Sequence, residues 1–109
     1  MLARHRYAIQ DERSLQDGLE SVLKANGVPY LREYVLDANS RPDFLLGSLA
    51  IEVKTQGSVG QFLRQAYRYL EHEKVQALIA VGTPHWLGAL PPDLAGKPVY
   101  GVRLLNSLL

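Results

Sequence analysis

Cysteine is absent from the 109-residue chain, which excludes disulfides, thiolate zinc sites and cysteine nucleophiles. Any metal must be held by oxygen or imidazole. No apolar run reaches the roughly 18 residues of a membrane span, and the opening Met-Leu-Ala-Arg-His-Arg-Tyr is not the apolar stretch of a signal peptide. A cytoplasmic protein with no membrane partner is expected. Neither sign of charge is in excess: the net charge is +1, so attraction to a polyanion must come from local arrangement of Arg and Lys. The basic Arg4-His5-Arg6 suits a nucleic-acid backbone and a frayed terminus equally. His5, His72 and His85 stand at no spacing that would make a zinc site or a serine triad, and read as surface histidines.

What is present is the composition of an ordinary globular protein, 47% hydrophobic and 21% charged, with no repeat, low-complexity tract or interdomain linker. One domain spanning 1–109 is expected. From Asp11 to Asn26 the pattern is helical, with Leu15, Leu19, Val22 and Leu23 on one face and Asn26-Gly27 as a stop. Glu12 projects along that apolar face. Tyr30 to Leu36 alternates as a strand, Asp37-Ala-Asn-Ser is a turn cluster, Pro42 to Leu46 a short strand, Gly47-Ser48 a tight turn, and Leu49 to Thr55 a third strand. Ser58 caps a second helix reaching Glu73, with Val59, Phe62, Leu63, Ala66 and Leu70 as its buried stripe and Gln61, Gln65, Arg68 and His72 as a polar one. Val75 to Val81 is a continuous apolar run of the kind that fills a central strand after a helical crossover. The turn-rich segment from Gly82 to Pro98 reads as a loop with one helical turn around Pro92 to Leu94, Trp86 half-buried in it, and Val99 to Leu105 as a last strand. The fold class is α/β: a mixed sheet with a helix on each face and an antiparallel meander.

The meander carries the chemistry. Arg41-Pro42-Asp43 opens one strand and Ile51-Glu52-Val53-Lys54 lies in the next, and a period of two puts Glu52 and Lys54 on one side of theirs. Two carboxylates facing one spot repel unless a cation sits between them, and hard oxygen ligands select Mg²⁺, Mn²⁺ or Ca²⁺, of which Mg²⁺, with Mn²⁺ as a substitute, is the natural candidate in the company of a phosphate. Phosphodiester hydrolysis is the reaction such a site suits. Lys54 stabilises charge or orients water, and Glu12 adds an outer ligand or positions a water.

The string Arg41-Pro42-Asp43-Phe44, then Ala50-Ile51-Glu52-Val53-Lys54, then Arg64-Gln65 with Arg68-Tyr69, resembles the PD-(D/E)XK nuclease superfamily, which includes many restriction endonucleases and the archaeal-type Holliday junction resolvases. The likeness runs from Glu12 to Val81. It implies a restriction-endonuclease-like core of helix, three-stranded meander, helix and strand. It also implies a metal on Asp43, Glu52 and the Val53 backbone carbonyl, Lys54 assisting the attack, and Glu12 and Gln65 in support. Arg41, Arg64, Arg68 and Gln61 are then the candidates for DNA contact. A Mg²⁺-dependent endodeoxyribonuclease with no organic cofactor follows, directed to a junction or flap because the small chain leaves no room for a specificity domain. A homodimer would suit paired cleavage, with Leu104, Leu105, Leu108 and Leu109 as the pairing surface.

Plainer roles exist for the same residues. Asp43 and Glu52 would serve as exposed strand residues or a sheet-surface ion pair, Glu12 as a first-turn acid favoured by the helix dipole, and Gln61, Arg64, Gln65 and Arg68 as the solvated side of a helix. Tyr67 and Tyr69 read as packing groups. A related substrate, RNA or single-stranded DNA ends, fits the same chemistry. A nucleic-acid-binding or assembly subunit that keeps the fold without catalysis is the alternative of another class.

Overall fold

The computed structural model describes residues 11–104, so Arg4-His5-Arg6 and the leucines at 105, 108 and 109 lie outside the described residues. Helix α1 runs Glu12–Ala25 and α2 Val59–Leu70; the strands are β1 Leu31–Arg32, β2 Phe44–Leu46, β3 Leu49–Lys54, β4 Ala77–Gly82, β5 Asp93–Leu94 and β6 Lys97–Arg103. They form one mixed open sheet in the order β1-β2-β3-β4-β6-β5. β1, β2 and β3 make the antiparallel meander, β3, β4 and β6 are parallel, and β5 returns antiparallel against the start of β6. None of the described helices is long and apolar enough to cross a membrane.

Each helix begins where its sequence satisfies orphan N–H groups. The Asp11 carboxylate accepts from the amides of Arg13 and Ser14 ahead of α1. Ser58 and Gln61 form a reciprocal capping box on α2. The α2 exit is held from a distance: the Lys97 ammonium on β6 donates to the carbonyls of Leu70, His72 and Val75 at 2.6, 3.0 and 2.7 Å. A cation at a helix C-terminus also opposes the helix dipole.

The sheet divides the core in two. Against one face α2 packs Phe62, Ala66, Tyr69 and Leu70 onto Leu45, Ala50, Leu78, Ala80 and Val99, joined by Val75 and Leu87. Fully burying a side chain such as Phe62 or Leu70 contributes about 1.5–3 kcal/mol. On the other face α1 sets Leu23, with Leu15 and Leu19, over Phe44, Ile51 and Val53. Arg32 ties α1 to β1 through Asp17 and Glu20. Val22, expected on the buried face of α1, is 55% exposed.

Several elements differ from the sequence reading. The expected strand Tyr30–Leu36 is reduced to Leu31–Arg32, because Glu33 takes a positive φ of 54° and turns the chain, its amide donating to the Asp43 carbonyl. Helix α2 stops at Leu70 rather than Glu73. The helical turn expected at Pro92–Leu94 lies instead at His85–Ala89, while Asp93–Leu94 pairs as β5. There Leu87 finds a place in the core and the Trp86 indole donates to the Gly57 carbonyl.

Candidate active site

Asp43 stands just before β2 and Glu52 four residues into β3, and the hairpin register of Phe44 opposite Ile51 brings them side by side. The Asp43 amide donates to Glu52 Oε1 at 3.2 Å, and Asp43 Oδ2 accepts from the Val53 amide at 2.7 Å. Each carboxylate is thus oriented by the other's strand. On the α2 face the Tyr69 hydroxyl donates to Glu52 Oε1 at 3.1 Å, while the Lys54 ammonium lies 3.6 Å from Glu52 Oε2. Glu12 reaches the end of β3 from the first turn of α1, its Oε2 accepting from the Thr55 amide at 3.0 Å.

Glu52 is 5% exposed. Burial first, and the Asp43 charge second, push its carboxyl up to about 8 against the partial relief of Lys54. Asp43 is raised by burial, opposed by the Val53 N–H, and raised further by the Glu12 charge. Tyr69 is raised by its own burial and by Glu52, so it stays a hydrogen-bond donor. The acids therefore repel one another in a poorly solvated place, with Lys54 as the near cation.

A divalent cation fits this donor set in one manner only. Among the described residues no group of three or more acidic or imidazole side chains could hold a metal, so a metal would rest on Asp43 and Glu52 and complete its shell with water and substrate oxygens, as Mg²⁺ commonly does. Asp43 Oδ1 and Glu52 Oε2 are the oxygens left for it: no hydrogen bond among described residues engages Oδ1, and Oε2 meets only Lys54. Val53 enters the site through its N–H; in an extended strand the carbonyl of the same residue leaves on the same edge.

Asp43, Glu52, Lys54 and Glu12 are thus brought together. Gln65 lies one helical turn before Tyr69 on α2, its Oε1 buried and without a hydrogen-bond partner. Arg41 is exposed on the loop before Asp43; Arg64 and Arg68 are exposed on α2. Gln61 is engaged in capping, its side chain accepting from the Ser58 amide. Two contributions go beyond the sequence reading. Tyr69 packs in the core as expected, and its hydroxyl in addition bonds Glu52, for which its spacing of four from Gln65 is the available signal. Glu33, whose charge adds to the raising of Asp43, carries no motif and comes near only through its positive-φ turn. Comparison with protein-family models, curated proteins and solved structures finds no match to this chain.

Proposed function

We propose that the protein is a metal-dependent endodeoxyribonuclease of PD-(D/E)XK type, with a restriction-endonuclease-like core, acting on branched or flapped DNA as a homodimer. The observation that carries the reading is the convergence of Asp43 with the buried Glu52 beside the Lys54 ammonium. Two mutually repelling carboxylates weaken the fold unless a proton or a cation joins them.

Asp43 and Glu52 would hold Mg²⁺, which when bound neutralises phosphate charge and makes water a better nucleophile. The chain's own contribution is orientation. The Val53 amide fixes Asp43, Tyr69 and the Asp43 amide fix Glu52, and the Thr55 amide fixes Glu12 at the end of β3. Lys54 offers its ammonium to the attacking water or to a nonbridging phosphate oxygen, and charge building in the transition state strengthens that contact. Exposed Arg41, Arg64 and Arg68 supply backbone phosphate contacts.

The test is cleavage of synthetic junctions, flaps and duplexes in Mg²⁺ by the wild type and by Lys54→Ala. Lys54→Ala is expected to lose cleavage by about a hundredfold or more, on the scale of removing one positioned transition-state donor, and to keep metal binding. Calorimetric titration with Mn²⁺ should give heat that vanishes in Asp43→Ala. Absence of heat in the wild type would leave the non-catalytic assembly module as the better account.

A further inference from the structure

We propose that the recess between the loop 35–41 and α2 seats one unpaired nucleobase bearing an exocyclic amine, on the strand whose phosphate is cut. The inference rests on the nuclease reading and specifies its substrate. The recess measures about 450 Å³ and is walled by Val35, Asn39, Ser40, Arg41, Gln65 and Tyr69, with Asp37 at its side. That volume is in the range of small-molecule pockets. It opens next to the carboxylate pair, because Tyr69 belongs to both, its hydroxyl bonded to Glu52, and Arg41 is two residues from Asp43.

Two polar atoms in its wall are unpaired. Ser40 is 2% exposed and its hydroxyl makes no hydrogen bond of acceptable geometry, although it lies close enough to the Asp37 carboxylate to favour the charged form; Gln65 Oε1 is likewise buried and unpartnered. Native interiors seldom leave such groups unsatisfied, and a ligand is one reason they do. The loop around Ser40 is otherwise well bonded: its carbonyl accepts from Leu36, its amide donates to Asp37, and Asn39 N–H caps the Asp37 carboxylate. The free hydroxyl is therefore not a by-product of a poorly formed turn.

The chemistry of the wall selects the occupant. Gln65 Oε1 accepts, Ser40 Oγ accepts or donates, and the Asp37 carboxylate, paired with the His72 ring, adds acceptor oxygens at the side. A neutral group presenting N–H donors fits these acceptors. Val35, apolar and 61% exposed, gives a face for a flat ring, and exposed Arg41 takes the phosphate at the mouth. A nucleobase with an exocyclic amine has this combination. In a duplex that amine is occupied by pairing, so the base must come from a flap, a single-stranded end or an extruded position.

The experiment uses the full chain and three labelled single strands of equal length: oligodeoxycytidylate, oligodeoxythymidylate and an abasic strand. The first two differ at ring position 4, amine against carbonyl. Affinity is read by fluorescence anisotropy in Ca²⁺ and cleavage in Mg²⁺. The cytidylate strand should bind about tenfold tighter than the other two, the value of one well-placed hydrogen bond. Ser40→Ala, and Val35→Trp at the exposed mouth, should each reduce that ratio below about threefold. Ser40→Ala should change the melting temperature little, since the hydroxyl's one polar neighbour in the free protein is the Asp37 carboxylate, to which it makes no well-formed hydrogen bond. Should Ser40→Ala fail to fold, Val35→Trp alone decides. Equal affinity for the three strands, no affinity for any, or a preference that survives both substitutions overturns the recess assignment. Mg²⁺-dependent cleavage without preference does so while keeping the nuclease; preference without cleavage keeps the recess and overturns the nuclease.

Discussion

Glu52 concentrates the physical argument in one side chain. Its folded-state carboxyl is raised from 4.5 to about 8, so between those values the folded protein holds a proton that the unfolded chain has released, and stability falls as pH rises through that window. Below about 4.5 both states are protonated and the contribution vanishes; above about 8 the full penalty of a buried charge is present. Asp43, also raised, acts with the same sign. Urea denaturation should therefore give a higher midpoint at pH 5.5 than at pH 8, and Glu52→Gln should flatten the difference, which runs to a few kcal/mol at about 1.4 kcal/mol per unit. A wild type equally stable at both would show that the carboxylate is better solvated or better paired than its burial indicates. Asp43, Glu52 and Lys54 were legible beforehand because strand period and a short hairpin suffice to converge them. The Tyr69 bond to Glu52 was not, because where that hydroxyl ends depends on how the crossover seats the whole helix. Gln61, by contrast, was on the predicted polar stripe but is taken up by the cap it forms with Ser58.

Elements were legible to the extent that local chemistry ends them. The cap at Ser58 and the stop at Gly27 (φ 65°) are where turn and cap residues predict. Strand β1 ends early because Glu33 adopts a left-handed turn that its own side chain does not favour, and α2 ends at Leu70 with its last carbonyls taken by Lys97, a partner 27 residues away. No local pattern encodes either event. The join of β3 to β4 is the element contact on which the site depends. Gly82 lies opposite Lys54, and a Cβ built there would fall 1.6 Å from the Lys54 carbonyl oxygen, which also accepts from the Thr83 amide. Gly82→Ala must push the end of β3 aside. It should cost about 1–3 kcal/mol of stability, as other overpacking changes do, and should lower cleavage along with Lys54's positioning. Gly18→Ala is the control: nothing lies within 4 Å of its added Cβ in α1, so it should stabilise by about 0.5–1 kcal/mol through helix propensity. Activity falling in the first variant and unchanged in the second would locate the effect in the β3–β4 join.

The molecule as a whole is covered unevenly, and the mixed sheet read from the sequence does not by itself reveal this. Helix α2 and the turn at His85–Ala89 close one face. On the other, α1 packs over Phe44, Ile51 and Val53, Ile79 and Val81 of β4 are partly buried against that cluster, and the same face of β6 is left exposed. The parallel register sets Ile79 beside Tyr100 and Val81 beside Val102 on that same face, and Tyr100 and Val102 are 54% and 43% exposed. Between α1 and this strip runs an apolar groove of about 350 Å³ lined by Leu15, Leu19, Val22, Val53, Val81 and Leu104. Strand β5 pairs only with Lys97 and Pro98, so the outer edge of β6 beyond them has no strand partner among the described residues. An open edge beside an exposed apolar strip is what a protein ordinarily covers, and the proposed homodimer would cover both with one twofold contact, Leu104 at its margin. Sedimentation velocity should then show a dimer in the wild type and a monomer in Tyr100→Lys, with unchanged far-ultraviolet circular dichroism. Because Tyr100 lies on β6, two strands from the site residues of β3, the monomer should still nick one strand while losing paired cleavage. A wild type that sediments as a monomer at tens of micromolar would remove the dimer and leave the single-site chemistry of Asp43, Glu52 and Lys54 to stand or fall on its own assay.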